Sequence, residues 1–176
     1  MTAYRRAREN GGTYFFTVNL AERRGNSLLV DHIDRLRAAF RYTRARHPFD
    51  TLAIAVLPDH LHAVWQLPEG CSDYAIRWSL IKGRFSRAMP RGEQVSGSRC
   101  GKRERGIWQR RYWEHQIRDE EDFRRHVEYI HYNPVKHGHA SCPLEWPYSS
   151  FRRYVSRGIY PADWAAGEDV IGMEFE

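Results

Sequence analysis

The chain contains two histidines separated by one leucine, His60-Leu61-His62, directly after a turn signal at Pro58-Asp59. Residues 52–57 before the turn form an apolar run that is typical of a strand. Because residues i and i+2 of a strand point to the same face of a sheet, the two imidazoles lie side by side while Leu61 points into a core. Two neutral imidazoles in this arrangement supply half of a divalent-metal site. Taken alone, the pair favours two ordinary strand histidines, with a metal site at the start of a strand as the alternative.

The remaining periodicity predicts a single α+β domain over residues 1–176. Strand patterns cover 13–20, 50–57, 60–67 and 107–117, and helix patterns cover 31–46, 72–88, 119–133 and about 149–157. The order β-α-β-β-α-β-α predicts an antiparallel sheet with helices packed largely on one face. Residues 1–12 read as a basic N-terminal arm, 90–106 as a flexible loop and 141–176 as a C-terminal extension.

The helix predicted at 119–133 has an apolar stripe of Phe123, Val127 and Ile130. Tyr129 lies outside this stripe, in a row with Arg125 and Asn133, because residues four apart share a helix face. We expect this row to be polar, and Pro134 and Gly138 to end the helix. If the helix crosses the sheet face of the two histidines, one amide oxygen and one phenol join the imidazoles. A half-exposed tyrosine without a role is the alternative reading.

Several stretches resemble one known family in the same order along nearly the whole chain, namely Gly11–Leu20, Leu57–His62, Trp108–His115, Tyr129–Lys136, Trp146–Phe151 and Gly158–Trp164. The pattern of His-hydrophobe-His followed by a helical tyrosine resembles the single-tyrosine HUH transposases. Among them it is most similar to the REP-associated tyrosine transposases. Five further stretches that match in order, besides the histidine motif, are more specific than the histidine pair alone.

The resemblance implies a ferredoxin-like antiparallel sheet with the histidine motif on a central strand. His60 and His62 match the family's metal-binding histidines, Tyr129 matches its nucleophile, and Asn133 occupies the position of the third ligand, where some relatives have Gln. The implied cofactor is Mg²⁺ or Mn²⁺, and the implied partner is a single-stranded DNA hairpin of the REP type. A monomer is the expected state, with a homodimer as the alternative.

These residue types suit the cleavage of a phosphodiester. A divalent ion on a non-bridging oxygen neutralises the charge that repels nucleophiles. A phenol has an ordinary pKa near 10, so a neighbouring cation favours the phenolate. Attack by Tyr129 would leave a 5′-phosphotyrosine and a 3′-hydroxyl, which conserves the bond energy for strand transfer.

The charge of the chain agrees with a nucleic-acid partner. The formal net charge is +6, and 25 of the 28 basic residues are Arg, whose planar guanidinium binds phosphate through two hydrogen bonds. A GC-rich genome explains the Arg excess equally well. The candidate DNA contacts are Lys82, Arg110, Arg111, His115, Arg118 and Lys136.

Composition argues against several other classes. Cys71, Cys100 and Cys142 are far apart, which disfavours a zinc site or a disulfide framework. The absence of a long apolar run predicts a cytoplasmic, nucleoid-associated protein without a membrane partner.

Three other functions remain open from the sequence. A sequence-specific DNA-binding protein that has lost catalysis is the main alternative, although His60, His62 and Tyr129 are intact. A two-histidine RNA phosphoesterase needs two separate His-x-Thr/Ser motifs, and neither of these histidines begins one. An RNA-binding module is the third alternative, but residues 107–117 match its signature poorly.

Overall fold

The computed structural model describes residues 10–92, 97–101 and 105–175, without the side chain of Cys100. The four strands are β1 Thr13–Asn19, β2 Asp50–Val56, β3 His60–Gln66 and β4 Trp113–Gln116. The helices are α1 Leu28–Asp31, α2 Ile33–Arg46, α3 Tyr74–Ala88, α4 Gly97–Gly101, α5 Glu120–Lys136, α6 Phe151–Ser156 and α7 Glu168–Ile171, and a 3-10 turn spans Pro143–Glu145.

The strands form one antiparallel sheet in the order β2-β3-β1-β4. Strand β3, which begins with the histidine pair, therefore lies between two neighbours. Its register places His62 opposite Thr17 and His60 opposite Asn19 on β1. The prediction of an α+β fold with the histidine motif on a central strand is confirmed.

Helices cover both faces of this sheet. Leu61, Ala63 and Trp65 of β3 join a core cluster that includes residues of α2 and α3. On the opposite face, Val64 joins a second cluster with Val127 and other residues of α5. The expected packing largely on one face therefore holds for α2 and α3, whereas α5 lies on the face of the histidines. Period-two alternation allows this arrangement because each strand has apolar side chains on both faces.

Two boundaries differ from the sequence prediction. The fourth strand is limited to Trp113–Gln116, and Trp108 makes only an isolated bridge to Leu20. Helix α5 continues through the buried Pro134 to Lys136. The backbone N–H of His137 donates to the carbonyl of Asn133 at 3.0 Å, so the helical hydrogen bonds resume directly after the proline. Gly138, at φ +69°, then ends the helix as expected.

The predicted loop at 90–106 contains the short helix α4, while residues 93–96 and 102–104 lie outside the described part of the chain. Residues 1–9 of the predicted N-terminal arm also lie outside it. Among the residues that are described, no helix is long and apolar enough to cross a membrane.

The C-terminal extension covers the outer edge of the sheet and then reaches the α5 face. The Val56 N–H donates to the Tyr148 carbonyl at 2.9 Å, and the Ser150 N–H donates to the Ile54 carbonyl at 2.8 Å. These bonds satisfy part of the exposed edge of β2, which would otherwise be open to another strand. The chain continues through α6 and α7 and brings Phe175 next to the histidine face.

Candidate metal centre and nucleophile

His60 is held by a carboxylate that directly precedes it in the sequence. Its Nδ1 lies 2.6 Å from Oδ1 of Asp59, and Arg23 Nε donates to Oδ2 of the same carboxylate at 2.7 Å. Burial opposes ionisation of Asp59, but the hydrogen bonds from His60 and Arg23 outweigh it, so the pKa of Asp59 lies well below its usual value. An ionised carboxylate can only accept, so the Nδ1 of His60 donates and its lone pair is on Nε2.

His62 is held in the same tautomer by a hydroxyl on the neighbouring strand. Thr17 Oγ1 lies 2.9 Å from Nδ1 of His62 and donates its proton to the Phe175 carbonyl at 2.5 Å. The hydroxyl must then accept from Nδ1 of His62, which leaves the lone pair on Nε2. Burial lowers the pKa of His62 far below its usual value, and positive neighbours including His60 lower it further. The imidazole is therefore neutral at physiological pH, as a metal ligand must be.

Several buried polar atoms on this face lack a hydrogen-bond partner among the described residues, and they include Nε2 of His60, Nε2 of His62 and both side-chain amide atoms of Asn133. The two imidazole centroids are 4.9 Å apart, and Asn133 is fully buried on α5, which crosses the same face. Leaving such atoms unsatisfied costs about 1–3 kcal/mol each. Two imidazole nitrogens and an amide oxygen form a donor set that suits a divalent ion, so these residues fit the predicted metal.

Tyr129 is completely buried beside the histidines. Its ring centroid is 5.3 Å from that of His62, and Asn133 follows it one helical turn later. The expectation of a polar helix row is wrong at this position, because Tyr129 belongs to the apolar cluster between α5 and the sheet. Only Arg125, at the start of the row, is exposed. Tyr132 is half-buried and lies about 300° around the helix axis from Tyr129.

The C-terminal tail covers the Tyr129 hydroxyl. The ring centroid of Phe175 is 5.0 Å from that of Tyr129, and the Phe175 N–H donates to the phenol oxygen at 3.4 Å. Lys136 Nζ lies 5.2 Å from the Tyr129 ring centroid and donates to the Met173 carbonyl at 2.7 Å. Residues 173–175 therefore contribute to the burial of the phenol.

The candidate DNA contacts divide into two groups. Lys82 and Arg110 lie beyond the opposite face of the sheet, where Lys82 Nζ donates to the Gln109 carbonyl at 2.6 Å and Arg110 donates to Ser98. Of the other four, Arg111 and Arg118 are exposed, His115 binds Asp122, and Lys136 binds the tail. Their roles as DNA contacts remain predictions.

Beside the candidate metal centre, His115, Asp122 and His126 also form a compact cluster. Asp122 lies 2.8 Å from Nε2 of His115 and 3.1 Å from Nδ1 of His126. The two imidazole rings are stacked at 4.6 Å with planes only 13° apart, so their in-plane lone pairs cannot converge on one ion. Asp122 therefore serves as a hydrogen-bonding bridge between α5 and β4.

Sequence reasoning missed the residues that orient the ligands. Asp59 precedes the histidine motif directly, and Thr17 is a polar residue within the apolar strand Phe15-Phe16-Thr17-Val18. Asp59 could have been identified because a carboxylate next to a histidine can orient the imidazole. Thr17 could have been identified because its hydroxyl is isolated among apolar residues on a strand that pairs with the histidine strand. Phe175 had no such signal, because it is 158 residues from Thr17 in the sequence.

No protein-family model matches the chain. The REP-associated tyrosine transposase of Escherichia coli is 45% identical over 178 residues, which cover 97% of this chain and 99% of that protein. A Haemophilus influenzae protein named for the same family is 48% identical over 171 residues, 97% of each chain. A solved structure of a REP-associated tyrosine transposase bound to a REP hairpin superimposes with a TM-score of 0.85 at 44% identity, covering 99% of this chain and 96% of that one.

Proposed function

The chain belongs to the REP-associated tyrosine transposase family, and from this premise we propose that it is a metal-dependent single-stranded DNA endonuclease and strand transferase. Its substrate is a REP-type DNA hairpin, and its reaction passes through a 5′-phosphotyrosine on Tyr129. The observation that supports this best is the group of unpartnered atoms on His60, His62 and Asn133, next to a tyrosine one helical turn from Asn133.

His60, His62 and Asn133 hold Mg²⁺ or Mn²⁺ in this proposal. The bound ion supplies charge neutralisation and polarisation at the scissile phosphate. Asp59 orients His60, and Thr17 orients His62 while its hydroxyl donates to the Phe175 carbonyl, so that each Nε2 lone pair is available when the ion binds. Because α5 provides both Asn133 and Tyr129, the third ligand and the nucleophile keep a fixed spacing.

Tyr129 performs the covalent step. After Phe175 has moved away, the phenol loses its proton to solvent and its oxygen forms a bond to phosphorus. The bond from phosphorus to the 3′-oxygen breaks, and that oxygen leaves with the electron pair and takes up a proton. The products are a 5′-phosphotyrosine and a 3′-hydroxyl, with no net change in the number of phosphate ester bonds.

Strand transfer is the same exchange with a different attacking group. The 3′-hydroxyl of another strand attacks the phosphotyrosine, restores the phosphodiester and releases Tyr129. The ester bond conserves the energy of the cleaved link, so no nucleoside triphosphate is required. We place this activity in the cytoplasm at the nucleoid, with a monomer as the expected state and a homodimer as the alternative.

The test is covalent trapping with a REP hairpin that carries single-stranded arms, in Mg²⁺ or Mn²⁺. The wild-type protein should form a complex that survives SDS, and mass spectrometry should locate the nucleotide on Tyr129. Tyr129→Phe should bind the hairpin with normal affinity and form no adduct, because only the attacking oxygen is removed. Tyr132→Phe is the matched control and should retain adduct formation.

Four results would contradict the proposal. A nucleotide on Tyr132 or strong cleavage by Tyr129→Phe would overturn the assignment of the nucleophile. Cleavage at the normal rate in EDTA would overturn the role of the metal. Hairpin binding without any cleavage would support the DNA-binding protein that has lost catalysis.

A further inference from the structure

A cavity of about 540 Å³ lies between α3 and the segment 105–112, apart from the metal centre. One wall is a row of small residues on α3, in which Ala75, Ser79, Gly83 and Ser86 follow one another at helical spacing. The opposite wall includes Trp108 and Tyr112. Small side chains on one side and aromatic rings on the other leave open space between the two walls.

No described residue in the lining of this cavity is acidic. Five cationic side chains line it, namely Lys82, Arg87, Arg99, Arg105 and Arg110. Four of them are held by uncharged oxygens. Lys82 donates to the Gln109 carbonyl at 2.6 Å, Arg99 donates to the Trp108 carbonyl at 3.1 Å, and Arg105 donates to the Met89 carbonyl at 2.8 Å.

The hydrogen bonds of Lys82, Arg99 and Arg105 fix the positions of these cations through carbonyl oxygens. The described lining of the cavity contains five positively charged side chains and no negatively charged one, which favours a positive potential. Such a cavity favours an anionic ligand, and the cations are ordered before the ligand binds.

The dimensions restrict the kind of anion. The volume lies in the range of about 300–1,000 Å³ that is usual for pockets holding small organic ligands, which is more space than an inorganic phosphate needs. A paired duplex cannot enter a cavity bounded by one helix and one loop. An unstacked nucleotide can enter, with its base against Tyr112 and its phosphate among the cations.

We propose that this cavity binds one unpaired nucleotide of the DNA substrate, on the side of the sheet opposite the metal centre. The inference rests on the proposed function for the identity of the nucleic acid as DNA. It gives Lys82 and Arg110 one shared role, and it adds Tyr112, Arg87 and Gly83 to the DNA-binding surface. The substrate is then held at two separate places, with chemistry at only one of them.

Photocrosslinking tests the occupant directly. The hairpin with single-stranded arms is synthesised with 5-iododeoxyuridine at one position at a time, and each version is irradiated with wild-type protein in EDTA, so that cleavage does not interfere. We expect one unpaired position to crosslink to the peptide that contains Tyr112. Crosslinks that occur only outside residues 75–112 would overturn the proposal.

A steric variant tests whether the space itself is needed. A Cβ at Gly83 would meet only the Arg87 guanidinium, at 3.3 Å, so a larger side chain extends into the cavity without changing the charge. Gly83→Leu should weaken binding of the armed hairpin about tenfold, which is within the usual contribution of one stacked base. Gly83→Ala should have a smaller effect, and Arg41→Ala on α2 is the control for an exposed arginine elsewhere.

The outcomes separate this inference from the proposed function. Loss of affinity in Gly83→Leu, with the crosslink in wild type, supports the cavity whether or not Tyr129 forms an adduct. Unchanged affinity in a folded Gly83→Leu variant overturns it, even if the adduct forms. If Gly83→Leu does not fold, the wild-type crosslink alone decides the question. If Gly83→Leu weakens the binding of an RNA hairpin but not that of the DNA hairpin, the proposal is also overturned.

Discussion

The two faces of the sheet are built from the same strands but have different contents. Toward α2 and α3, Trp65 and Trp78 stack with ring centroids 4.1 Å apart in a dense aromatic core. Toward α5, the face contains His60, His62 and Asn133, whose buried and unpartnered atoms include two imidazole nitrogens and an amide oxygen. Alternate residues of β3 thus contribute to packing on one side and to a candidate reaction centre on the other.

The difference indicates where the molecule obtains its stability. Buried aromatic area on the first face contributes favourable free energy of folding, roughly 25 cal/mol for each Å² removed from water. Both faces contain buried polar atoms without a described partner, such as Nε1 of Trp65 and Trp78 on the first face, and these atoms cost free energy. Those of His60, His62 and Asn133 differ because they include lone pairs that a bound cation could satisfy. Functional sites commonly depart from the rules of good packing in this way, while the rest of the fold compensates.

The largest effects should come from one substitution on each face. Trp78→Ala should lower the free energy of unfolding by about 3–5 kcal/mol, because it removes a large buried ring from a core. Any fraction that remains folded should still form the Tyr129 adduct. His62→Ala should abolish cleavage with a much smaller loss of stability.

Urea denaturation and adduct formation, measured on both variants, check this separation. Hairpin binding in EDTA serves as the control, and it should survive in His62→Ala because phosphate contacts lie elsewhere. If His62→Ala unfolds the protein as strongly as Trp78→Ala, the two faces do not differ in the way proposed.

Much of this division could be predicted from the sequence. Period-two alternation places His60 and His62 on one face and Leu61 on the other, and helical spacing places Asn133 one turn from Tyr129. These patterns are local, so a single segment is enough to detect them.

Long-range packing could not be predicted in the same way. The approach of Phe175 to Tyr129 depends on the path of the whole C-terminal extension. The path of α5 through Pro134 depends on burial that compensates for a missing backbone hydrogen bond. No segment of the sequence contains that information by itself.

The next effect concerns the groups that orient the histidines. Asp59→Asn should weaken Mn²⁺ binding about 10- to 100-fold, because the amide no longer fixes the His60 tautomer through a charged hydrogen bond. Thr17→Val should act similarly on His62, and Thr17→Ser should restore binding. Electron paramagnetic resonance of added Mn²⁺ measures affinity independently of cleavage.

Asp34→Asn, an exposed site on α2, is the control and should bind Mn²⁺ normally. Equal Mn²⁺ affinity in wild type, Asp59→Asn and Thr17→Val would show that these contacts only support the fold.

A smaller effect, of opposite sign, is expected at Asn133. Asn133→Leu should raise the free energy of unfolding in EDTA by about 1–2 kcal/mol, since it replaces a buried, unpartnered amide by an apolar group of similar size. The same variant should need more metal for cleavage, whereas Asn133→Gln keeps the amide oxygen and should be partly tolerated. Urea denaturation in EDTA and a metal titration of cleavage provide the two measurements. If Asn133→Leu is less stable than the wild type in EDTA and needs no more metal for cleavage, Asn133 contributes to packing alone.

The smallest effect distinguishes the histidines of the metal centre from a histidine that is simply buried. His131 lies on α5 away from the sheet, against Phe151, Tyr154 and Tyr160, and its Nε2 is 2.9 Å from Ser150 Oγ. Burial lowers its pKa to about 3, compared with an unfolded value near 6.5. Between these values the unfolded chain binds a proton that the folded chain does not, so stability falls as pH decreases below 6.5. The slope is about 1.4 kcal/mol per pH unit, or roughly 2 kcal/mol by pH 5.

His131→Gln cannot titrate, so it should flatten the dependence of unfolding free energy on pH between 6.5 and 5, leaving the contributions of the other buried histidines. His139→Gln, at an exposed position, is the control and should keep the wild-type slope. The measurement is urea denaturation at several pH values in EDTA, and an unchanged slope for His131→Gln would show that the acid sensitivity arises on the metal-binding face instead.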